Sequence, residues 1–204
     1  RLPYTDALLR LTTATREAAG ALGLILQHLA HPDKAEMLPA LMNVYFYRVQ
    51  GEERTEAAAE RLGRLVDRLK TCERIEDLLA PGPAGDWLDQ QADLPDDERE
   101  PLEAFRRQLR AWHGLVMLPI TELLTALAQD LFEEPEKLAM TQLFGEILAR
   151  ESQPMMHEQN RDPATLDALQ RELVVIARDQ RKLRSIEADK LGFDPEAHKG
   201  EVVV

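Results

Sequence analysis

The chain has 204 residues, with 37 acidic against 25 basic side chains and a formal charge of −12. One large domain or two small ones fit that length, and a composition 44% hydrophobic and 30% charged excludes wholesale disorder. The net acidity excludes a chain that coats nucleic acid or anionic lipid over much of its surface, and no apolar run has the length of a membrane span.

Aromatic residues make up only 5% of the chain, while Leu, Ala, Glu and Arg are abundant, a usage that favours helices. The first predicted helix runs from about Thr13 to Ala30, with Ala18, Leu22, Ile25, Leu26 and Leu29 near a 3.6-residue period. Thr12 or Thr13 is placed to cap it, and Glu17 falls in its first turn. His31-Pro32-Asp33 should end that helix and cap the next, which carries Met37, Leu38, Leu41, Met42, Val44, Tyr45 and Phe46. Being apolar nearly all round, this second helix should lie deep in the core.

Gly51 breaks the pattern, and a charged helix follows from about Glu52 to Thr71 with Ala57, Leu62, Leu65, Val66 and Leu69 as its buried stripe. Along it, Glu60 and Arg64 form a supportive i,i+4 pair, whereas Arg64 and Arg68 form a repulsive one. Pro81 to Gly85 is the clearest linker, and two helical subclusters could divide there. Asp86 to Glu103 holds eight acids against Arg99 alone, which reads as a solvated face or loop.

A helix from about Pro101 to Val116 should bury Leu102, Phe105, Leu109, Trp112 and His113. Pro119 opens another, Ile120 to Phe132, and a third runs from Glu133-Glu134-Pro135-Glu136 through Leu148. After a polar stretch, Arg150 to Arg161, the last long helix extends from Pro163 to about Ile186. Gly192, Pro195 and Gly200 then lead to Val202-Val203-Val204, the one segment with strand character. The predicted fold is all-α: a multi-helix bundle of about seven helices, residues 1–191, followed at 192–204 by a loop and a short C-terminal strand stub. Because the chain starts on Arg1 and ends on three valines, a piece of a longer protein is expected.

Catalytic motifs are missing. No G-x-x-x-x-G-K-S/T loop is present to cradle a nucleotide phosphate. His157-Glu158-Gln159-Asn160-Arg161 starts like H-E-x-x-H but places Arg161 where the second histidine must stand. The histidines, His28, His31, His113, His157 and His198, are scattered, and His113 reads as a satisfied core histidine. Ser152 and Ser185 lie in polar surroundings without a nucleophile elbow. Gly20 and Gly23, inside a helix, should allow close packing rather than contact a ligand. Cys72, the lone cysteine, reads as a small hydrophobe in a reducing, cytoplasmic compartment. The chain by itself is therefore expected to be no enzyme and to hold no metal or cofactor. Basic clusters remain: Arg178, Arg181, Lys182 and Arg184 are candidate DNA-phosphate contacts, and Arg106, Arg107 and Arg110 form a smaller group.

Three stretches are similar to one family. Glu187 to Val204 (E-A-D-K-L-G-F-D-P-E-A-H-K-G-E-V-V-V) resembles the run-up to motif V, T-x-H-x-x-K-G-L-E, of the UvrD/Rep/PcrA-like superfamily 1 DNA helicases. Leu2-Pro3-Tyr4, then Thr15-Arg16-Glu17 and a helix ending at His31-Pro32-Asp33, resembles the stretch after motif IV. Leu118 to Phe132 is similar to a segment of some bacterial UvrD-like helicases. One departure is plain: Ala18-Ala19-Gly20 stands where the family has I-K-D. The resemblance implies the helical 2B subdomain inserted between these motifs, a regulatory element of an ATP-dependent helicase. It also implies that ATP and Mg bind the parent's motor, with no cofactor in this piece. The expected partners are the remainder of the motor, DNA contacted weakly or through the parent, and a possible protein partner, with no membrane. The alternative is a free-standing acidic helical protein-interaction module, presenting Asp86–Glu103 and the aromatic run Tyr45-Phe46-Tyr47.

Overall fold

The computed structural model describes residues 4–80, 85–91, 93–151, 166–171 and 175. These are overwhelmingly helical, and no strand occurs among them. The all-α expectation holds; the strand stub at 202–204 lies outside the described residues.

Helix α1 spans Tyr4–Ala30, and its buried side contains Ala18, Leu22, Ile25 and Leu29 with Ala21 and Leu26. Because it begins well before Thr13, neither Thr12 nor Thr13 caps it. Glu17 is consequently mid-helix, away from any first turn. The chain leaves α1 with the His31 amide donating to the Gln27 and His28 carbonyls at 3.0 and 3.2 Å. Asp33 caps nothing: a 3-10 turn, Ala35–Met37, starts behind Lys34 with no side-chain cap.

Helix α2, Leu38–Val44, continues directly into a π-helical turn, Tyr45–Val49. The Gln50 amide reaches the Tyr45 carbonyl at 3.0 Å, an i→i+5 bond that lets one extra residue bulge from the helix. Leu38, Leu41, Met42 and Phe46 have no exposure, as their all-round apolarity predicts. Gly51, at φ +67, ends the segment in a left-handed conformation that a side chain would resist.

Helix α3, Glu56–Leu69, starts at Thr55, whose Oγ1 accepts from the Ala58 amide at 3.1 Å. Its buried stripe uses Ala58 rather than the expected Ala57, beside Leu62, Leu65 and Leu69. Two short helices not anticipated from the sequence follow: α4, Ile75–Leu79, and α5, Trp87–Gln90. Each is a single turn or little more, too short to show a period, and is anchored by buried Ile75, Leu78, Trp87 and Leu88.

Helix α6, Asp96–Leu115, starts a full turn before its expected start. Asp96, Asp97 and Glu98 fill its first turn, where carboxylates suit the exposed amides and the positive end of the helix dipole. Pro101 lies inside the helix and is buried, so it does not mark the helix start. Half of the acidic block is therefore a helix N-terminus, not a loop. Helices α7, Ile120–Leu131, and α8, Pro135–Glu151, follow close to expectation.

The most extensive pairing is α7 on α8; α1 packs along both and along α2, while α3 and α4 rest on α6. One continuous core of buried side chains runs from Ala18 to Leu169. Trp112, Phe46, Phe105 and Phe144 are its largest fully enclosed members, and Tyr45 meets Phe105 with ring centroids 5.4 Å apart.

Candidate functional site

The polar chemistry of the fold gathers in three places. The first is at the crossing of α1 and α6. His28 extends the apolar stripe of Ile25 and Leu29 and has no solvent exposure. Its Nε2 lies 2.8 Å from the Nε2 of His113, with the rings 4.9 Å apart and tilted by 43°. His28 Nδ1 is buried without a hydrogen-bond partner. Burial, then the neighbouring His113, holds the His28 imidazole down at about 4; burial lowers that of His113 as well. The satisfied core histidine expected at His113 is thus half right: His113 is half-buried, and its partner His28 is the enclosed one.

The second place is the acidic block. Glu98 is 4% exposed and accepts from Arg64 Nε at 3.0 Å and Arg68 Nε at 3.2 Å. Those arginines were the repulsive pair of the sequence; the shared carboxylate turns their proximity into a clamp between α3 and α6. Arg106 is 8% exposed and forms a fork on both carboxylate oxygens of Asp86, which holds the Asp86 carboxyl below its usual range. Asp86 Oδ1 also accepts from the Leu88 amide at 3.0 Å, capping α5. Arg99 bridges Asp89 and the Leu88 carbonyl, and Arg110 donates to the Leu79 carbonyl at the end of α4. Asp96, Asp97 and Glu100 remain exposed.

The third place joins α1, the π turn and α8. Arg48 Nη2 donates to Glu17 Oε2 at 2.7 Å, and that oxygen lies 3.6 Å from the buried Lys137 Nζ. Lys137 also donates to Glu134 at 2.5 Å and sits 5.8 Å from the Phe132 ring centre. The Arg48 bond holds Glu17 below its ordinary value, and the Lys137 bond does the same to Glu134.

The sequence-derived candidates distribute unevenly over this geometry. Arg178, Arg181, Lys182 and Arg184 lie outside the described residues, as do His157, His198, Ser152 and Ser185. In the smaller basic group Arg106 is buried on Asp86 and exposed Arg110 donates to a backbone carbonyl, whereas exposed Arg107 makes no such bond among the described residues. The aromatic run is no surface: Tyr45 and Phe46 are buried, and half-buried Tyr47 is covered by Arg54, 4.9 Å from its ring centre. A Cβ on Gly23 would meet the Gln170 side chain at 3.8 Å, whereas Gly20 has open space where a side chain would go. Cys72 is buried, donates to the Arg74 carbonyl at 3.2 Å, and is pushed up to about 11 by burial. At neutral pH it is a thiol, not a nucleophilic thiolate.

An open depression of about 380 Å³ lies against the outer face of α7 between Thr121 and Gln129. Among the described residues no group of three or more His, Cys, Asp or Glu side chains is placed to hold a metal, and no helix is long and apolar enough to cross a membrane. The one signal for these clusters in the sequence was the Arg64–Arg68 repulsion, which calls for a shared anion; the His28–His113 pairing, 85 residues apart, left none. No protein-family model, curated protein or solved structure matches the chain.

Proposed function

We propose that this chain is the accessory 2B-type helical subdomain of an ATP-dependent DNA helicase of the UvrD/Rep/PcrA kind, modulating unwinding by a motor core formed by other segments. One observation carries the reading: three stretches, 2–33, 118–132 and 187–204, occur in the order in which that family has their counterparts around this insert. The all-α architecture supports it, because such an insert is built of helices. In this reading ATP and Mg bind the motor, and these residues supply shape and a limited contact with duplex DNA.

The engagement of Arg64, Arg68, Arg99, Arg106 and Arg110 by carboxylates and carbonyls supports a small contact rather than a broad one. Arg178, Arg181, Lys182 and Arg184 are then the proposed phosphate contacts, set in a background of −12. Titration of a labelled duplex should show weak binding that falls as salt rises. Replacing each of the four by Ala should reduce the salt slope by about one. A sub-micromolar affinity insensitive to salt overturns the reading. So does a gene with an initiator directly before Arg1 and a stop directly after Val204. A G-x-x-x-x-G-K-T encoded upstream and a T-x-H-x-x-K-G-L-E encoded directly downstream sustain it.

A further inference from the structure

Helix α1 packs along α8, α2 and α7 and meets α6 less extensively. At that thin crossing stand His28 and His113, joined Nε2 to Nε2 at 2.8 Å. Two imidazole nitrogens at this distance bond only if one carries a hydrogen and the other offers a lone pair. The buried, unpartnered Nδ1 of His28 decides which. An enclosed N–H without an acceptor is costlier and rarer than an unused lone pair. His28 is therefore the Nε2–H tautomer and donates. His113 accepts at Nε2 and carries its hydrogen at Nδ1, the nitrogen that this bond leaves free.

An added proton has two lone pairs to choose from, and both are bad. On His28 Nδ1 it keeps the bond to His113 but places a cation in the core beside a neutral ring and with no described carboxylate on it. On His113 Nε2 it consumes the lone pair that accepts the bond, so two N–H groups face each other. We propose that the His28–His113 pair is an acid-sensitive latch between α1 and α6, closed when both rings are neutral and released when protons fill their remaining lone pairs.

Among the described residues the surroundings give the new charge no bonded counter-ion, and no carboxylate bonds either ring. On α1, His31 is turned to Asp167 of the helical residues 166–171 at 2.7 Å. From α7, Asp130 is taken by Trp112 Nε1 at 3.0 Å and by Gln108 at 2.7 Å. From α8, Lys137 is held by Glu134 and Glu17, more than two turns away along α1. The charged group acting on His28 is His113, of like sign.

The sign follows. Unfolded, His28 takes a proton near 6.5; folded, only near 4. Between those values the unfolded chain binds more protons, so stability is fully present above about 6.5 and is lost progressively as pH falls towards 4.

The test combines nitrogen NMR of the histidine rings with urea denaturation of the 204-residue chain from pH 7.5 to 5.5, above the range where carboxylates titrate. At pH 7.5, the two rings should show opposite tautomers and a coupling across the N–H···N bond; the folded pair should keep both down to pH 5.5, since it takes a proton only near 4. The unfolding constant should rise by up to about tenfold per pH unit below 6.5, and His28→Leu should remove that rise. His113→Gln, whose amide oxygen can accept from His28, should keep most of the stability at pH 7.5. Identical tautomers, or an absent coupling at pH 7.5, overturn the latch; so does an equal pH slope in wild type and His28→Leu. If His28→Leu does not fold, the ring spectra of the wild type decide the matter alone.

Discussion

Glu98 and Asp86 are both acids of one sequence block, yet their surroundings give them different weights. Glu98 is the more buried of the two, but its partners Arg64 and Arg68 have side chains 50% and 34% exposed. Without Glu98 both guanidinium groups can turn to water, so Glu98→Ala should cost about 1–2 kcal/mol, chiefly lost hydrogen bonds and restored repulsion between two arginines one turn apart. Arg106 has no such escape, since its side chain is 10% exposed and its Nε already lacks a partner. Asp86→Ala strands that cation in the fold and uncaps α5 as well, and should cost about 3–5 kcal/mol. Urea denaturation of the two variants at neutral pH ranks them; a larger loss for Glu98→Ala would contradict this account of which partner can be resolvated. Neither role was readable from the block itself. Eight acids in eighteen residues look alike in one dimension, and only the arginines that converge on two of them set those apart.

Periodicity identified the long helices well because each buries one stripe against a common core. Leu22, Ile25 and Leu29 of α1, Leu102, Phe105 and Leu109 of α6, and Leu123, Leu124 and Leu127 of α7 are all buried, as their spacing required. Ends were read less well, because a helix end depends on what satisfies its free amides, and several residue types can do that. Thr12, Thr13 and Asp33 look like caps and are not, while Thr55, which is one, stands inside the charged segment with nothing in the pattern to mark it. Its Oγ1 bond to the Ala58 amide is the start signal of α3. Thr55→Ala should accordingly lower stability by about 1 kcal/mol, and Thr55→Ser should restore nearly all of it. Thermal melts of the three proteins followed by circular dichroism make the comparison; equal loss in both variants would mean that the threonine methyl, not the hydroxyl, matters at this position. The π turn after α2 was unreadable for another reason. Its apolar residues continue a helical pattern, and the extra residue in the backbone leaves no mark on composition.

Over the whole molecule the question is whether the Pro81–Gly85 linker separates two folding units. Composition argues for a break there, since fixed-φ and free residues alternate. Packing argues the other way. Buried side chains on both sides of the linker belong to one core, α3 and α4 rest on α6, and the Glu98 clamp and the Arg110 bond to the Leu79 carbonyl tie the same elements together. The histidine pair adds a tie from α1 to α6. Units that share a core and the ties across it lose those contacts together, so unfolding should be a single cooperative transition. Two probes are placed to check it. Far-UV circular dichroism reports every helix, whereas tryptophan fluorescence reports Trp87 and Trp112, both on the C-terminal side of the linker. In urea at pH 7.5 the two curves should share one midpoint. Separated midpoints, with dichroism changing before or after fluorescence, would show that the linker divides the chain despite the continuous core. The charge of −12 does not alter that expectation, because buried Glu98 and half-buried Asp86 each have a basic partner within 3.2 Å, and exposed carboxylates are screened by solvent.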